Sequence, residues 1–73
     1  MAGPIQAYRV LKDSEIEPAA VAGATVFECI VPDYGAANQD SRRTGVRHVA
    51  VTFDPAGRYP YFTIPLGDLE PLA

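Results

Sequence analysis

The sequence predicts an all-β domain of about four to five antiparallel strands curled into a small, partly open barrel, with a short 3-10 turn near the C-terminus. Three observations carry that prediction. Short runs rich in β-branched and aromatic residues recur along the chain: AYRVL (7–11), ATVFECIV (24–31), GVRHVAVTF (45–53) and YPYFTI (59–64). Seven prolines and six glycines punctuate them and favour turns over long helices. The 73 residues suffice for one small core and no more.

Composition bounds the setting. With 48% hydrophobic and 21% charged residues the chain has the balance of a folded domain rather than a disordered tail. No apolar run approaches the roughly 20 residues that cross a bilayer, so no membrane partner is expected. Residues 1–6 carry neither the basic nor the apolar region of a secretory signal and read as a flexible lead-in to a single domain over 7–73. Cys29 is the one cysteine, so no internal disulfide can form, which fits a reducing, cytoplasmic location. Packing alone must hold so small a domain, as a monomer or as a homodimer.

Each element has its own justification. In AYRVL, Tyr8 and Val10 share a face opposite Arg9. KDSEIEPAAVAG (12–23) is a long connection in which Ser14 and Glu17 match a capping box; its alanine-rich run has room for one helical turn, limited by Pro18 and Gly23, and the sequence leaves open whether 14–22 forms it. ATVFECIV places Thr25, Phe27, Cys29 and Val31 on one face and Val26, Glu28 and Ile30 on the other, both apolar as in a central strand. Pro32 ends it.

The stretch 32–45 reads as a loop far longer than the usual two to five residues of a hairpin. Beyond it, Val49, Val51 and Phe53 are assigned to the core, and His48, Ala50 and Thr52 to the other face. DPAGR (54–58) has proline at a turn-favoured place and glycine where a positive φ is expected, predicting a hairpin. Phe62 and Ile64 are expected inward, and Tyr59, Tyr61 and Thr63 outward. The spacing of Leu66, Leu69 and Leu72 suits the 3-10 turn that tucks leucines under the barrel.

The run FTIPLGDLEPL, following closely spaced strands and a tight hairpin, resembles the SH3-like small β-barrel. That fold commonly carries a turn of the kind (V/I)P-x-x-x-L before its last strand, which Ile64, Pro65 and Leu69 match. The order PDYG, TGVRHVAVTF, YPYFTIPLGDLEPL is also similar to small tailed-phage accessory proteins, and that likeness implies a host-directed binding protein in the host cytoplasm. The chain departs from a standard SH3 module in having no tryptophan, which puts proline-rich peptide recognition in doubt.

The candidate site residues divide by chemistry. Arg42, Arg43 and Arg47 form the one basic cluster, and their fork-shaped groups suit carboxylate or phosphate partners. The competing expectation is an internal ion pair with Asp33, Asp40 or Glu28. Tyr34, Tyr59 and Tyr61 offer large contact area with a polar tip, as binding surfaces do, or else they cover the barrel's outer edge. His48 is the one histidine and reads as a solvent-facing or hydrogen-bonded strand residue, with Cys29 a small buried hydrophobe. A Cys29–His48 nucleophile pair and a carboxylate pair among Glu28, Asp33 and Asp40 are the weaker alternatives. No catalytic residue, metal site or cofactor is expected, and the chain is not expected to be an enzyme.

The functional expectation is a protein-binding module, one version being a phage-encoded modulator of a host protein. It would contact its partner through the 33–47 loop and the tyrosine face: Tyr34, Arg42, Arg43, Arg47, Tyr59 and Tyr61. The alternative is a nucleic-acid-binding barrel using the three arginines, against which a net charge of −3 weighs. In a further alternative the acidic residues of 13–40 mimic nucleic acid and inhibit a DNA-binding protein.

Overall fold

The computed structural model describes residues 5–72. Five strands, β1 (Ala7–Val10), β2 (Thr25–Glu28), β3 (His48–Thr52), β4 (Tyr61–Pro65) and β5 (Leu69–Pro71), form one open antiparallel sheet in the order β4-β3-β2-β1-β5. A helix, α1 (Ala36–Thr44), joins β2 to β3, and a 3-10 turn (Leu66–Asp68) joins β4 to β5. The predicted all-β class, strand number and C-terminal 3-10 turn are all present. No helix among the described residues is long and apolar enough to cross a membrane.

Register explains the layers. Residues opposite each other on antiparallel strands share a face. Val49 faces Ile64 and Val51 faces Phe62, so these four lie on one side, as alternation predicts. There they join Val10, Ala20, Val26 and Leu69 around a core in which Val26 and Val51 are fully buried. Phe53, assigned to that core, falls just beyond β3 and is 41% exposed, its ring resting on Phe62 at a centroid distance of 5.2 Å.

The other face carries His48, Ala50, Thr52, Tyr61, Thr63 and Pro65, and Thr63, expected outward, is covered. His48, Thr52 and Thr63 are buried because α1 lies over this side of β3 and β4. The stretch 32–45, predicted to be a long contact loop, contains that helix. Asp33 starts it: its carboxylate accepts the N–H groups of Gly35 (3.1 Å) and Ala37 (3.3 Å), and its carbonyl accepts that of Ala36. Gly45 ends it at φ 82°, a left-handed turn that suits glycine, with its N–H donating to the Ser41 carbonyl.

No residue of α1 is fully buried. Its inner stripe is Ala36, Ala37, Asp40 and Ser41, and its docking bonds are polar. Thr63 Oγ1 donates to Asp40 Oδ2, and the His48 N–H donates to Ser41 Oγ (2.8 Å). The Thr63 bond holds the Asp40 carboxyl below the usual aspartate range, against the opposing effect of burial and with help from Arg43.

The first connection, 11–24, where the sequence leaves a helical turn open, contains none. Half of the capping box is made, with Ser14 Oγ accepting the N–H of Glu17 (3.0 Å). Ser14 N–H instead donates to the Ala20 carbonyl, and Asp13 accepts from Ala22 N–H (2.9 Å), closing a compact non-helical loop. The strands are shorter than the apolar runs suggest, since Cys29, Ile30, Arg47 and Tyr59 lie outside them. Of the predicted lead-in, residues 1–4 lie outside the described residues. Gln6 is tied down: its carbonyl accepts from Glu28 N–H, and its amide donates to the Leu72 carbonyl (3.0 Å). Of the three leucines, Leu69 tucks into the core, while Leu66 stays 39% exposed.

The DPAGR hairpin forms as predicted. Gly57 adopts φ 72°, and a Cβ added there would meet the Glu28 carbonyl oxygen at 2.6 Å, so glycine is required both by conformation and by space.

Candidate functional site

Helix α1 divides the six candidate residues into two groups. Tyr34, Tyr59 and Tyr61 gather at its N-terminal end, and Arg42, Arg43 and Arg47 lie toward its C-terminal end. The helix between the two groups has nine residues and is about 13 Å long.

The tyrosine end is built on the segment that leads into α1. Tyr61, the first residue of β4, sends its hydroxyl to the Asp33 carbonyl (2.9 Å). Tyr59 sends its own to the Pro32 carbonyl (3.3 Å), and the two rings sit 5.7 Å apart, tilted by 47°. Partial loss of hydration, then the Tyr34 hydroxyl, push the Tyr59 hydroxyl above the ordinary tyrosine range. Tyr34 itself is 81% exposed and has φ 53°, a left-handed backbone in a residue that is not glycine. Ile30, two residues before Pro32, adds an exposed aliphatic side chain.

At the other end the three arginines are all exposed but differ in pairing. Arg42 is exposed on the outer helix face and Arg47 is exposed just before β3. Arg43 pairs with Asp40 at 3.3 Å, one of the internal ion pairs anticipated as the competing role. Among the described residues neither Arg42 nor Arg47 has a carboxylate at ion-pair distance.

Sequence reasoning missed a groove of about 350 Å³ beside Arg43. It runs between residues 12–16 of the first connection, the end of α1, the start of β3 and the 3-10 turn, with His48, Ile16, Val46 and Asp68 on its walls. Ile16 and Val46 are exposed aliphatic groups. His48, expected as a strand residue that is solvent-facing or hydrogen-bonded, is buried and bonded: its Nδ1 meets the Val46 carbonyl at 3.0 Å and Thr44 Oγ1 at 3.4 Å. The signal available in the sequence was a lone histidine three residues after the glycine that ends a polar run.

A second cavity of about 340 Å³ lies between β1, β2 and β3 and is bordered by Tyr8, Glu28, Cys29 and Val49. Cys29 is half-buried, and its thiol donates to the Val31 carbonyl (3.3 Å). Cys29 and His48 thus border different cavities. Of the three carboxylates weighed together, Asp33 caps α1, Asp40 anchors it and Glu28 is exposed, so each has a separate place. Among the described residues no three His, Cys, Asp or Glu side chains converge as metal ligands would. No protein-family model matches this chain, and comparison with curated proteins and with solved structures gives no match.

Proposed function

We propose that this domain is a non-enzymatic protein-binding module whose contact surface is the tyrosine face, Tyr34, Tyr59 and Tyr61, with Ile30 at its margin. The observation that carries this reading is Tyr34, 81% exposed at φ 53°. A left-handed backbone costs a residue other than glycine about 1–2 kcal/mol. The chain bears that cost to hold a large aromatic ring in solvent, where it adds nothing to the core. Strained, exposed aromatics of this kind are a mark of binding surfaces.

Anchoring of its neighbours supports the same reading. Tyr59 and Tyr61 are each fixed to a backbone carbonyl, so little rotamer freedom remains to be lost on binding. Strand addition is a poorer mode for this sheet. Pro65 in β4 and Pro71 in β5 lack a backbone donor, and the Leu69 N–H is already used by the Leu66 carbonyl. Recognition therefore falls to side-chain surfaces. The strand order β4-β3-β2-β1-β5 and the 3-10 turn before β5 support placing the domain among SH3-like barrels, with α1 occupying the β2–β3 connection. A single free thiol accords with a cytoplasmic protein. The arginine-based nucleic-acid reading has less behind it, because Arg43 is paired and the chain is acidic overall.

Affinity capture from lysate of the source cells, quantified by mass spectrometry, tests the surface. A partner retained by wild type and by Arg42→Ala/Arg47→Ala, and depleted about tenfold by Tyr34→Ala/Tyr59→Ala, is the expected result. An unchanged set of partners for the tyrosine variant would sink the proposal.

A further inference from the structure

The groove at the C-terminal end of α1 is chemically unlike the tyrosine face. His48 is only 5% exposed. Its Nδ1 faces the Val46 carbonyl, which can only accept, so in the neutral ring Nδ1 carries the proton. Nε2 is then a bare acceptor. Among the described residues Nε2 has no hydrogen-bond partner, and no sealed side-chain nitrogen or oxygen is left unpartnered. Nε2 therefore opens onto the groove that His48 borders.

The groove's charges are mixed, with carboxylates in excess. Arg43 is engaged by Asp40, and Asp13 accepts from Ala22 N–H. The carboxylates of Asp13, Glu15 and Asp68 line the groove against the cations of Lys12 and Arg43, of which Arg43 is shared with Asp40; those of Glu15 and Asp68 accept no hydrogen bond among the described residues. Three acceptor groups thus stand around an opening with apolar walls from Ile16, Val46 and Pro65.

We propose that this groove is a binding site for a guanidinium group, which donates one hydrogen bond to His48 Nε2 and others to Asp68 and Glu15. A guanidinium has five donors in one plane and weakly hydrated flat faces, so it satisfies separated acceptors between aliphatic walls better than a compact ammonium does. The group arrives either as an arginine side chain of a polypeptide or as a free small molecule.

NMR titration of the full chain tests the assignment and its source. Methylguanidinium and acetyl-arginine-amide are expected to shift the amide signals of Ile16, Val46, His48 and Asp68. Acetyl-citrulline-amide, of the same shape without the charge, should leave them in place. A peptide with arginine between two leucines that binds about tenfold tighter than methylguanidinium assigns the cation to a polypeptide, and equal affinity assigns it to a small molecule. Glu15→Gln/Asp68→Asn, a surface variant that keeps the fold, should weaken either probe about tenfold. The ring ¹⁵N signals of His48 give a readout independent of affinity. Nε2 should be unprotonated in the free neutral protein and move to a hydrogen-bonded position with probe. A proton found on Nε2 of the free neutral ring, an equal response to the arginine and citrulline probes, or shifts confined to Tyr34 and Tyr59 would overturn the proposal.

Discussion

The two long connections of this domain, 11–24 and 29–47, solve the same problem in opposite ways. Each links neighbouring antiparallel strands that a short turn could have joined. The first has the stronger helix signals, a capping box and an alanine-rich run, yet folds into an irregular loop. It is pinned by Ala20, which is fully buried in the core. The second has no apolar stripe, yet forms a helix that buries no residue completely. The difference lies in the punctuation. Pro18 and Gly23 leave too little room for a helix in the first connection. In the second, Gly35 and Gly45 bracket nine residues free of proline and glycine, with Asp33 placed to cap them.

The contrast predicts where each connection is fragile. Ala20→Asp puts an unpaired charge into the core and should cost more than about 4 kcal/mol, unfolding most of the protein at room temperature. Arg42→Pro should cost about 3 kcal/mol at the helix while leaving the sheet standing, because α1 contributes nothing to the core cluster. Chemical denaturation followed by circular dichroism measures both, and Cα chemical shifts over 36–44 report the helix separately. If Arg42→Pro collapsed the sheet as Ala20→Asp does, the two connections would not differ as described.

The polar docking of α1 also gives it a pH dependence. Asp40 has a folded-state pKa below its unfolded one, chiefly through the Thr63 hydroxyl. A depressed carboxylate contributes stability that is fully present at neutral pH. That stability is lost as the pH falls from the ordinary aspartate range through the lower folded value. Acidification should therefore loosen α1 from β3 and β4 before the core melts. Asp40→Asn should flatten this local response. Amide exchange at Ser41 and His48, followed from neutral pH downward, would reveal it, and an unchanged profile in the variant would place the acid sensitivity elsewhere.

How much of this was legible in the sequence follows from what holds each part together. The sheet was readable because Val49, Val51, Phe62 and Ile64 alternate along β3 and β4 and pair across them. Helix α1 was not, because hydrophobic period is the usual signal and its inner stripe is Ala36, Ala37, Asp40 and Ser41. For the same reason the outward reading of Thr63 fails, since a helix above β4 buries its hydroxyl on the Asp40 carboxylate. The tyrosines were legible as a group because their residue type suggests a surface. The groove was not, because its walls come from residues 12–16, 43–48 and 65–68, which no local pattern joins.

The smallest predicted effect concerns one of the internal ion pairs weighed as the competing role of the arginines. Arg43 and Asp40 form an ion pair at 3.3 Å, but the side chains are 62% and 26% exposed. Pairs this open to water contribute less than about 1 kcal/mol and are screened by salt. Arg43→Ala should therefore shift the denaturation midpoint by less than about 0.5 kcal/mol at physiological salt, and by nothing resolvable in concentrated salt. The Thr63 hydroxyl remains on the other carboxylate oxygen and keeps Asp40 in place. A loss above about 1 kcal/mol that persists in salt would mean that the arginine stem packs against the sheet. In that case the second connection would owe its place to buried side-chain area, as the first does, and the contrast between them would narrow to their backbone conformation alone.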